Sequence, residues 1–216
     1  MYSGRIESDV RHLYKGAIIV GNISLLFGGV ALFINSLVLF GKVDMKSAGV
    51  FSLFTGMFQT FIATWLVIGA SPSELFGYAG IYLFAFTYLY VGVTFIFNLD
   101  GRGVGWFSLF VAISALFYAV VGFANGDSMG AVSWLFWSFL WGLFFYGMAL
   151  ERAIDGVIAR VAFVLAWLTL IVPALLGLAN LMTPLYDVIW WAASGTAVLY
   201  FAFAMSRFKR QVETAN

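Results

Sequence analysis

The sequence contains no cysteine and a single histidine, His12, which precedes the first long apolar segment. The absence of cysteine excludes disulfide bonds and catalysis by a thiolate. Only 10% of the residues are charged, and the formal net charge is +1. Soluble domains carry about 25% charged residues. So few charged residues cannot cover a water-exposed surface. A net charge this close to zero gives no positive field that would attract nucleic acid.

Hydrophobic residues make up 63% of the chain and are gathered into seven long apolar runs. Each run has about 20 residues, which is enough to cross a bilayer as a helix. The connections between them are short and leave no room for a soluble domain. The sequence therefore predicts an all-α integral membrane protein, a bundle of six core transmembrane helices plus a seventh. The predicted runs are 22–41, 48–69, 75–98, 103–124, 130–150, 157–179 and 186–206.

The distribution of lysine and arginine predicts the orientation of this bundle. Eight of these residues lie in loops 1–2, 3–4 and 5–6 and the C-terminal tail, and the remaining three lie near the N-terminus. The positive-inside rule then places the N-terminus outside and the C-terminus in the cytoplasm. The predicted organisation is a polar N-terminal extension (1–21), a six-helix domain (22–180), an additional C-terminal transmembrane helix (181–206) and a basic cytoplasmic tail (207–216).

One loop-and-helix pattern occurs twice. Val43–Phe54 and Leu99–Phe110 share the order apolar, Asp, any residue, basic, two residues, Gly, any residue, then Phe-Ser-Leu-Phe. Both copies run from a predicted cytoplasmic loop into the next helix, so hairpin 1–2 resembles hairpin 3–4 in a parallel repeat. Such repeats are common in transport folds. Locally, the Asp of each copy suits the start of a helix, where it caps free backbone N–H groups.

Acidic, basic and histidine residues are missing from the interior of the first six runs. Ion-coupled transporters and pumps usually hold such groups at mid-membrane. The chain also has no glycine-rich phosphate loop, no zinc-protease motif and no nucleophile paired with a base. We therefore expect no enzyme activity, no metal site and no cofactor. Neutral polar residues such as Asn35 remain, and Asn35 suits a hydrogen bond between helices as well as a contact with an uncharged solute.

Trp134, Trp137 and Trp141 fall on one face of the fifth predicted helix. An interfacial belt could hold Trp134, but Trp141 lies about 10 Å deeper along the helix. The periodicity supports a packed core and the wall of a solute path equally. A row of tryptophans holds helices apart, whereas membrane helix contacts favour small residues. A slot between flat rings would admit thin planar solutes and could bind them through indole N–H groups. Trp134 suits either the outer mouth of such a path or the belt.

Several motifs resemble those of the urea channel and amide transporter family (UreI/AmiS). They are "FTYLY" at Phe86–Tyr90, Leu99–Arg102, and "WFSLFVAI" at Trp106–Ile113. The tryptophan spacing is similar to that of the family's fifth helix, and Leu25–Asn35 with Lys42–Ser47 is similar to its first hairpin. The resemblance covers about residues 20–176. The Asp-Gly-Arg-Gly form of loop 3–4 is closer to the amide-associated branch.

The resemblance implies six core helices per protomer, a homo-oligomeric ring (a hexamer in the known case) and a pore in each protomer with two constrictions. The function it implies is passive passage of urea or short aliphatic amides such as acetamide across a bacterial inner membrane, in contact with membrane lipid. A proton-coupled amide permease and a structural or sensory membrane protein remain as alternatives. The pore-lining positions that it implies are Leu25, Leu32, Asn35, Phe86, Tyr90, Trp134, Trp137, Leu140 and Trp141.

Acid-gated members of that family carry histidines and carboxylates in long external loops, and here the predicted external loops are short and contain no histidine. We therefore expect solute uptake to show no steep rise between about pH 7 and pH 5, where histidine titrates. Uptake of urea and acetamide by vesicles at a series of external pH values checks this, and a steep rise over that interval would contradict it.

Overall fold

The computed structural model describes the backbone of residues 2–68 and 70–215, and the side chains from residue 16 to residue 210 except 69 and 73. His12 and the other polar side chains of residues 1–15 lie outside the described side chains. The elements are, in chain order, α1 (Tyr2–Leu39), α2 (Met45–Val67), α3 (Pro72–Phe97), α4 (Arg102–Ala124), α5 (Ser128–Phe144), a π-helical segment (Phe145–Ala149), α6 (Asp155–Leu165), a second π-helical segment (Ala166–Ile171), α7 (Val172–Leu178) and α8 (Pro184–Ala215).

Within the described residues, seven helical stretches are long and apolar enough to cross a membrane, which confirms the predicted fold class. The sixth span is continuous from α6 through the second π-helical segment to α7, and α8 forms the seventh. The spans are Gly16–Leu39, Met45–Val67, Glu74–Phe97, Arg102–Ala124, Ser128–Ala149, Asp155–Leu178 and Pro184–Arg210.

The helices begin slightly before the apolar runs because their first turns are capped by polar residues. The Asp44 side chain accepts a hydrogen bond from the backbone N–H of Ser47 at 3.0 Å, and Asp127 accepts from Gly130 at 2.9 Å. These bonds satisfy N–H groups that a helix leaves free in its first turn. A hydropathy pattern misses such turns, and it also misses that α1 begins at Tyr2.

The aspartates of the two copies of the repeated pattern both accept hydrogen bonds at a helix start, in different geometries. Asp44 is the N-cap of α2, whereas Asp100 precedes Gly101, the N-cap of α4, and accepts from the Arg102 guanidinium at 2.7 Å and from the Arg102 backbone N–H at 2.9 Å. The side-chain hydrogen bond from Arg102 holds the pKa of the Asp100 carboxyl below its ordinary value. Gly49 and Gly105 both face the following helix: a Cβ at Gly49 would lie 3.1 Å from the Gly92 carbonyl of α3, and one at Gly105 would lie against the backbone of Ala149. The repeat therefore brings α2 close to α3, and α4 close to the end of the fifth span.

The last helix, α8, packs on the outside of the fifth and sixth spans. The ring of Phe201 lies 6.1 Å from Phe139 and 6.3 Å from Phe136, both in α5. The indole N–H of Trp190 donates to the Leu168 carbonyl at 3.1 Å. The first span instead contacts α2, α6 and α7. The additional helix is thus peripheral to the bundle formed by the first six spans.

The sixth span is widened where Ala166–Ile171 forms π-helical turns. Pro173 follows two residues later, and a proline inside a helix removes one hydrogen bond and clashes with the preceding turn. The wider turns accommodate this loss, and such π-helical insertions occur frequently at functional sites. They bring Thr169 and Leu170 to buried positions on the inner face of the span.

The close approach of α2 to α3 depends on Gly56. A Cβ at this position would lie 2.7 Å from the Leu89 nitrogen and 2.8 Å from the Ala85 carbonyl oxygen, and backbone atoms cannot move aside cheaply. We expect Gly56→Ala to lower the free energy of unfolding by about 1–3 kcal/mol, the usual cost of overpacking. Thermal unfolding in detergent micelles measures this effect. Gly195→Ala on α8 is the matched control, because its Cβ would meet nothing within 4 Å. Equal unfolding midpoints for the two variants would contradict the prediction.

Candidate functional site

Two cavities lie one after the other along α1, α3 and α5. The first, here called the upper cavity, is next to the first half of the α1 span and has a volume of about 120 Å³. It is walled mainly by α1 and α3, with contributions from α2, α5 and the second π-helical segment. Its lining residues are Gly21, Ser24, Leu25, Gly28, Gln59, Gly77, Gly80, Ile81, Phe84, Tyr88, Trp134, Trp137 and Leu170.

The second, here called the lower cavity, is next to the C-terminal half of α1 and has a volume of about 230 Å³. Its walls come from the first six spans, and Tyr88 borders both cavities. The two spaces therefore follow one axis through the bundle. The lining residues of the lower cavity are Leu32, Asn35, Val38, Leu39, Met45, Thr87, Tyr88, Val91, Phe95, Val104, Ser108, Trp141, Phe144, Met148, Asp155 and Ile158.

Three aromatic rings separate the cavities. The Phe84 ring lies 4.8 Å from Trp137 and 5.1 Å from Trp141, with interplanar angles of 82° and 84°. Edge-to-face contacts at these distances are favourable because the ring edge is positive and the ring face is negative. Phe84 is 9% exposed and Trp141 is 1% exposed, so the rings of this aromatic barrier are buried.

Threonine hydroxyls fix the orientation of both tryptophans. The indole N–H of Trp137 donates to Thr169 at 2.9 Å, and that of Trp141 donates to Thr87 at 3.2 Å. Each threonine hydroxyl in turn donates to a carbonyl of its own helix at 2.7 Å. The sequence suggested that indole N–H groups could bind a solute. Here both N–H groups already have partners, so the barrier presents ring surfaces instead.

Two further polar side chains border the axis. The Tyr88 hydroxyl donates to the Gly28 carbonyl at 2.6 Å. The Asn35 side-chain oxygen accepts from the Ser52 hydroxyl at 3.1 Å, which ties α1 to α2. Among the described residues, the Asn35 amide nitrogen makes no hydrogen bond, and Asn35 lines the lower cavity. Asn35 therefore joins two helices through its oxygen and can still offer N–H groups.

Most of the residues singled out from the sequence border the two cavities. Leu25, Trp134 and Trp137 line the upper cavity, and Leu32, Asn35 and Trp141 line the lower cavity. Leu140 borders neither cavity and is fully buried in the core of the bundle. Trp134 stacks on Tyr118 at 4.3 Å.

Phe86 and Tyr90 border neither cavity. They are 50% and 40% exposed, and they lie on the other side of α3, where Phe86 stacks on Tyr82. Phe84 and Tyr88 border the cavities instead. Aromatic residues recur every second position in this part of α3, and a shift of two residues along a helix reverses the face. The resemblance identified the motif but not its face.

Gln59, Gly28 and Thr169 were not among the predicted pore-lining positions. Gln59 and Gly28 line the upper cavity, and Thr169 holds Trp137. Gln59 is a polar residue well inside the second apolar run, and that position is a sequence signal for a polar contact inside the bundle. The pairing of Thr169 with a tryptophan that lies 32 residues earlier leaves no trace in local periodicity.

The chain is similar to known transport proteins over most of its length. The model of the AmiS/UreI family transporters matches residues 20–181. The chain is 43% identical over 136 residues to the transporter protein AmiS2 of Rhodococcus erythropolis, across 62% of this chain and 66% of that protein. It is 37% identical over 161 residues to an amidate substrates transporter protein of Mycolicibacterium smegmatis, across 73% and 76%. It is 32% identical over 149 residues to the acid-activated urea channel of Helicobacter pylori, across 54% and 76%.

The fold is similar to two solved structures of the Helicobacter pylori urea channel. The cryo-EM structure of its closed state has a TM-score of 0.68 at 28% identity, covering 75% of this chain and 99% of that chain. The crystal structure has a TM-score of 0.65 at 30% identity, covering 72% and 95%. The region matched by the family model ends at residue 181, before α8 begins at Pro184.

The hydrogen bond between Trp137 and Thr169 predicts that two threonine-to-valine variants differ in stability. Thr169 and Thr196 both donate to a carbonyl four residues earlier, but only Thr169 also accepts from a tryptophan. We expect Thr169→Val to cost about 1–3 kcal/mol of unfolding free energy, because a buried indole N–H loses its partner. Thr196→Val on α8 is the matched control. Thermal unfolding in detergent measures both, and equal midpoints would contradict the assignment.

Proposed function

This chain belongs to the AmiS/UreI family of transporters, and from that membership we propose that it is a passive channel for urea or short aliphatic amides such as acetamide. The observation that carries the proposal is the aromatic barrier of Phe84, Trp137 and Trp141 between two cavities on one axis. The solute would move from the upper cavity, past the three rings, into the lower cavity.

The barrier suits a small, flat and neutral molecule. Urea and primary amides are planar at the carbonyl group, so they can pass along the flat faces of the rings. A charged solute would lose its hydration without finding a counter-charge, at a high energetic cost. Among the described side chains, Asp155 is the one charged group that borders either cavity, and it lies at the start of α6. Passage requires small movements of these side chains.

The polar groups of the lower cavity suit the oxygen end of such a solute. The Asn35 amide nitrogen can donate to the carbonyl oxygen of urea or an amide while its own oxygen stays bound to Ser52. The walls around it are otherwise mostly apolar. Weak binding of this kind lets a solute enter and also leave.

From the positive-inside rule we propose that the upper cavity lies on the outer side of a bacterial inner membrane and that the C-terminus lies in the cytoplasm. We also propose a homo-oligomer, with a hexamer as the form implied by the family resemblance. In this arrangement each protomer carries its own complete path, because both cavities lie within one chain.

Shrink–reswell kinetics of proteoliposomes test the proposal. We expect vesicles with the purified protein to reswell faster than empty vesicles in urea or acetamide, and dissipating a proton gradient should leave the rate unchanged. Collapse of uptake with the gradient would instead support a proton-coupled permease. Rates equal to those of empty vesicles for both solutes would reject transport of urea and acetamide.

Two aromatic residues of α3 give a matched test of the barrier. Phe84 contacts both tryptophans, whereas Phe86 lies on the exposed face. We expect Phe84→Leu to raise the flux of a bulkier amide such as butyramide severalfold relative to urea, because the slot becomes wider. Phe86→Leu should keep the wild-type ratio. The same reswelling assay with both solutes checks this, and an unchanged ratio in Phe84→Leu would contradict a role for Phe84 in selection.

A further inference from the structure

Gln59 reaches the upper cavity through a gap in α1. It belongs to α2, it is 4% exposed, and it lines the upper cavity beside Gly28. A Cβ on Gly28 would lie only 2.7 Å from the Gln59 side-chain nitrogen. The missing side chain at Gly28 therefore provides the space that Gln59 fills, and α2 contributes a polar group to a wall otherwise built by α1, α3, α5 and the second π-helical segment.

The orientation of the Gln59 amide follows from its contact with α1. Its nitrogen donates to the Ser24 carbonyl at 3.0 Å. The reverse orientation would bring two acceptor oxygens together, so the hydrogen-bond network determines which amide atom is which. The other polar atom of the amide, Gln59 Oε1, is buried and has no hydrogen-bond partner among the described residues.

An unpartnered acceptor at this place is unusual, since nearly all buried polar atoms are hydrogen-bonded. Other polar groups nearby are already engaged: the Tyr88 hydroxyl donates to Gly28, and the Trp137 indole donates to Thr169. The cavity of about 120 Å³ has room for one molecule of a few non-hydrogen atoms, given that a water takes about 30 Å³ in the liquid.

We propose that Gln59 is a specificity-determining residue whose Oε1 accepts a hydrogen bond from the N–H group of a urea or primary amide in the upper cavity. This inference rests on the proposed function and adds a requirement to it: the solute must carry an N–H donor. Asn35 in the lower cavity offers the opposite chemistry, a donor for the carbonyl oxygen. A solute with both groups meets an acceptor first and a donor second, whereas a fully N-alkylated amide satisfies only the donor.

The test compares acetamide, N-methylacetamide and N,N-dimethylacetamide in the reswelling assay, each corrected by empty vesicles. Gln59→Leu keeps the approximate side-chain volume and removes the acceptor. We expect this variant to lose acetamide and urea flux severalfold while the small flux of N,N-dimethylacetamide stays at the wild-type level. Thr60→Val is the matched control: its hydroxyl donates to the Gly56 carbonyl of the same helix, and it borders neither cavity. It should keep all three wild-type rates.

The outcomes separate this inference from the function on which it rests. If the wild type carries neither urea nor acetamide, the proposed function itself fails. Two other outcomes overturn the inference while the wild type carries both solutes: Gln59→Leu keeps the wild-type flux ratios among the amides, or it loses the flux of all three amides equally. In either case Gln59 only joins α2 to α1. Should Gln59→Leu fail to fold, Gln59→Met replaces it, because methionine keeps the chain length with a much weaker acceptor. The same selective loss is expected, and wild-type ratios would overturn the inference.

Discussion

Two indole–threonine hydrogen bonds hold the centre of this bundle in place. Trp137 and Trp141 each place a polar N–H in the interior, where no bulk water can satisfy it, so each requires a protein partner. Thr169 and Thr87 accept these bonds while donating to their own helices. These bonds hold Trp137 to the sixth span and Trp141 to α3. Phe84 packs edge-on between the two tryptophan rings.

The helix packing follows from a contrast in side-chain size. Gly49, Gly56 and Gly92 bring α2 and α3 into backbone contact, and Gly105 does the same for α4 and the end of the fifth span. The tryptophans of α5 have the opposite effect and keep α3, α5 and the sixth span apart. Cavities form where helices are held apart, which is why both lie along the aromatic face of α5. The peripheral α8 covers the outside and borders neither cavity.

The sequence predicted the seven spans and their order because hydropathy and loop charge are local properties. The family resemblance also named Trp137 and Trp141 of α5 and Leu32 and Asn35 of α1, and these four residues border the two cavities. It could not choose the face of α3, since aromatic residues occur on both sides of that helix. Nor could it find the role of Gln59, which depends on a missing side chain on another helix at Gly28. Contacts between distant parts of the chain decide these features.

The proposed path of the solute runs between the two cavities and not along the exposed face of α3. The absence of cysteine allows a direct measurement, because a single introduced thiol is the only target for a thiol reagent. Val91 lines the lower cavity, and Phe86 lies on the exposed face of the same helix. Flux of acetamide should fall strongly when Val91→Cys is treated with a small methanethiosulfonate, and it should stay unchanged for Phe86→Cys under the same treatment. Block at Phe86→Cys with free flux at Val91→Cys would contradict the account.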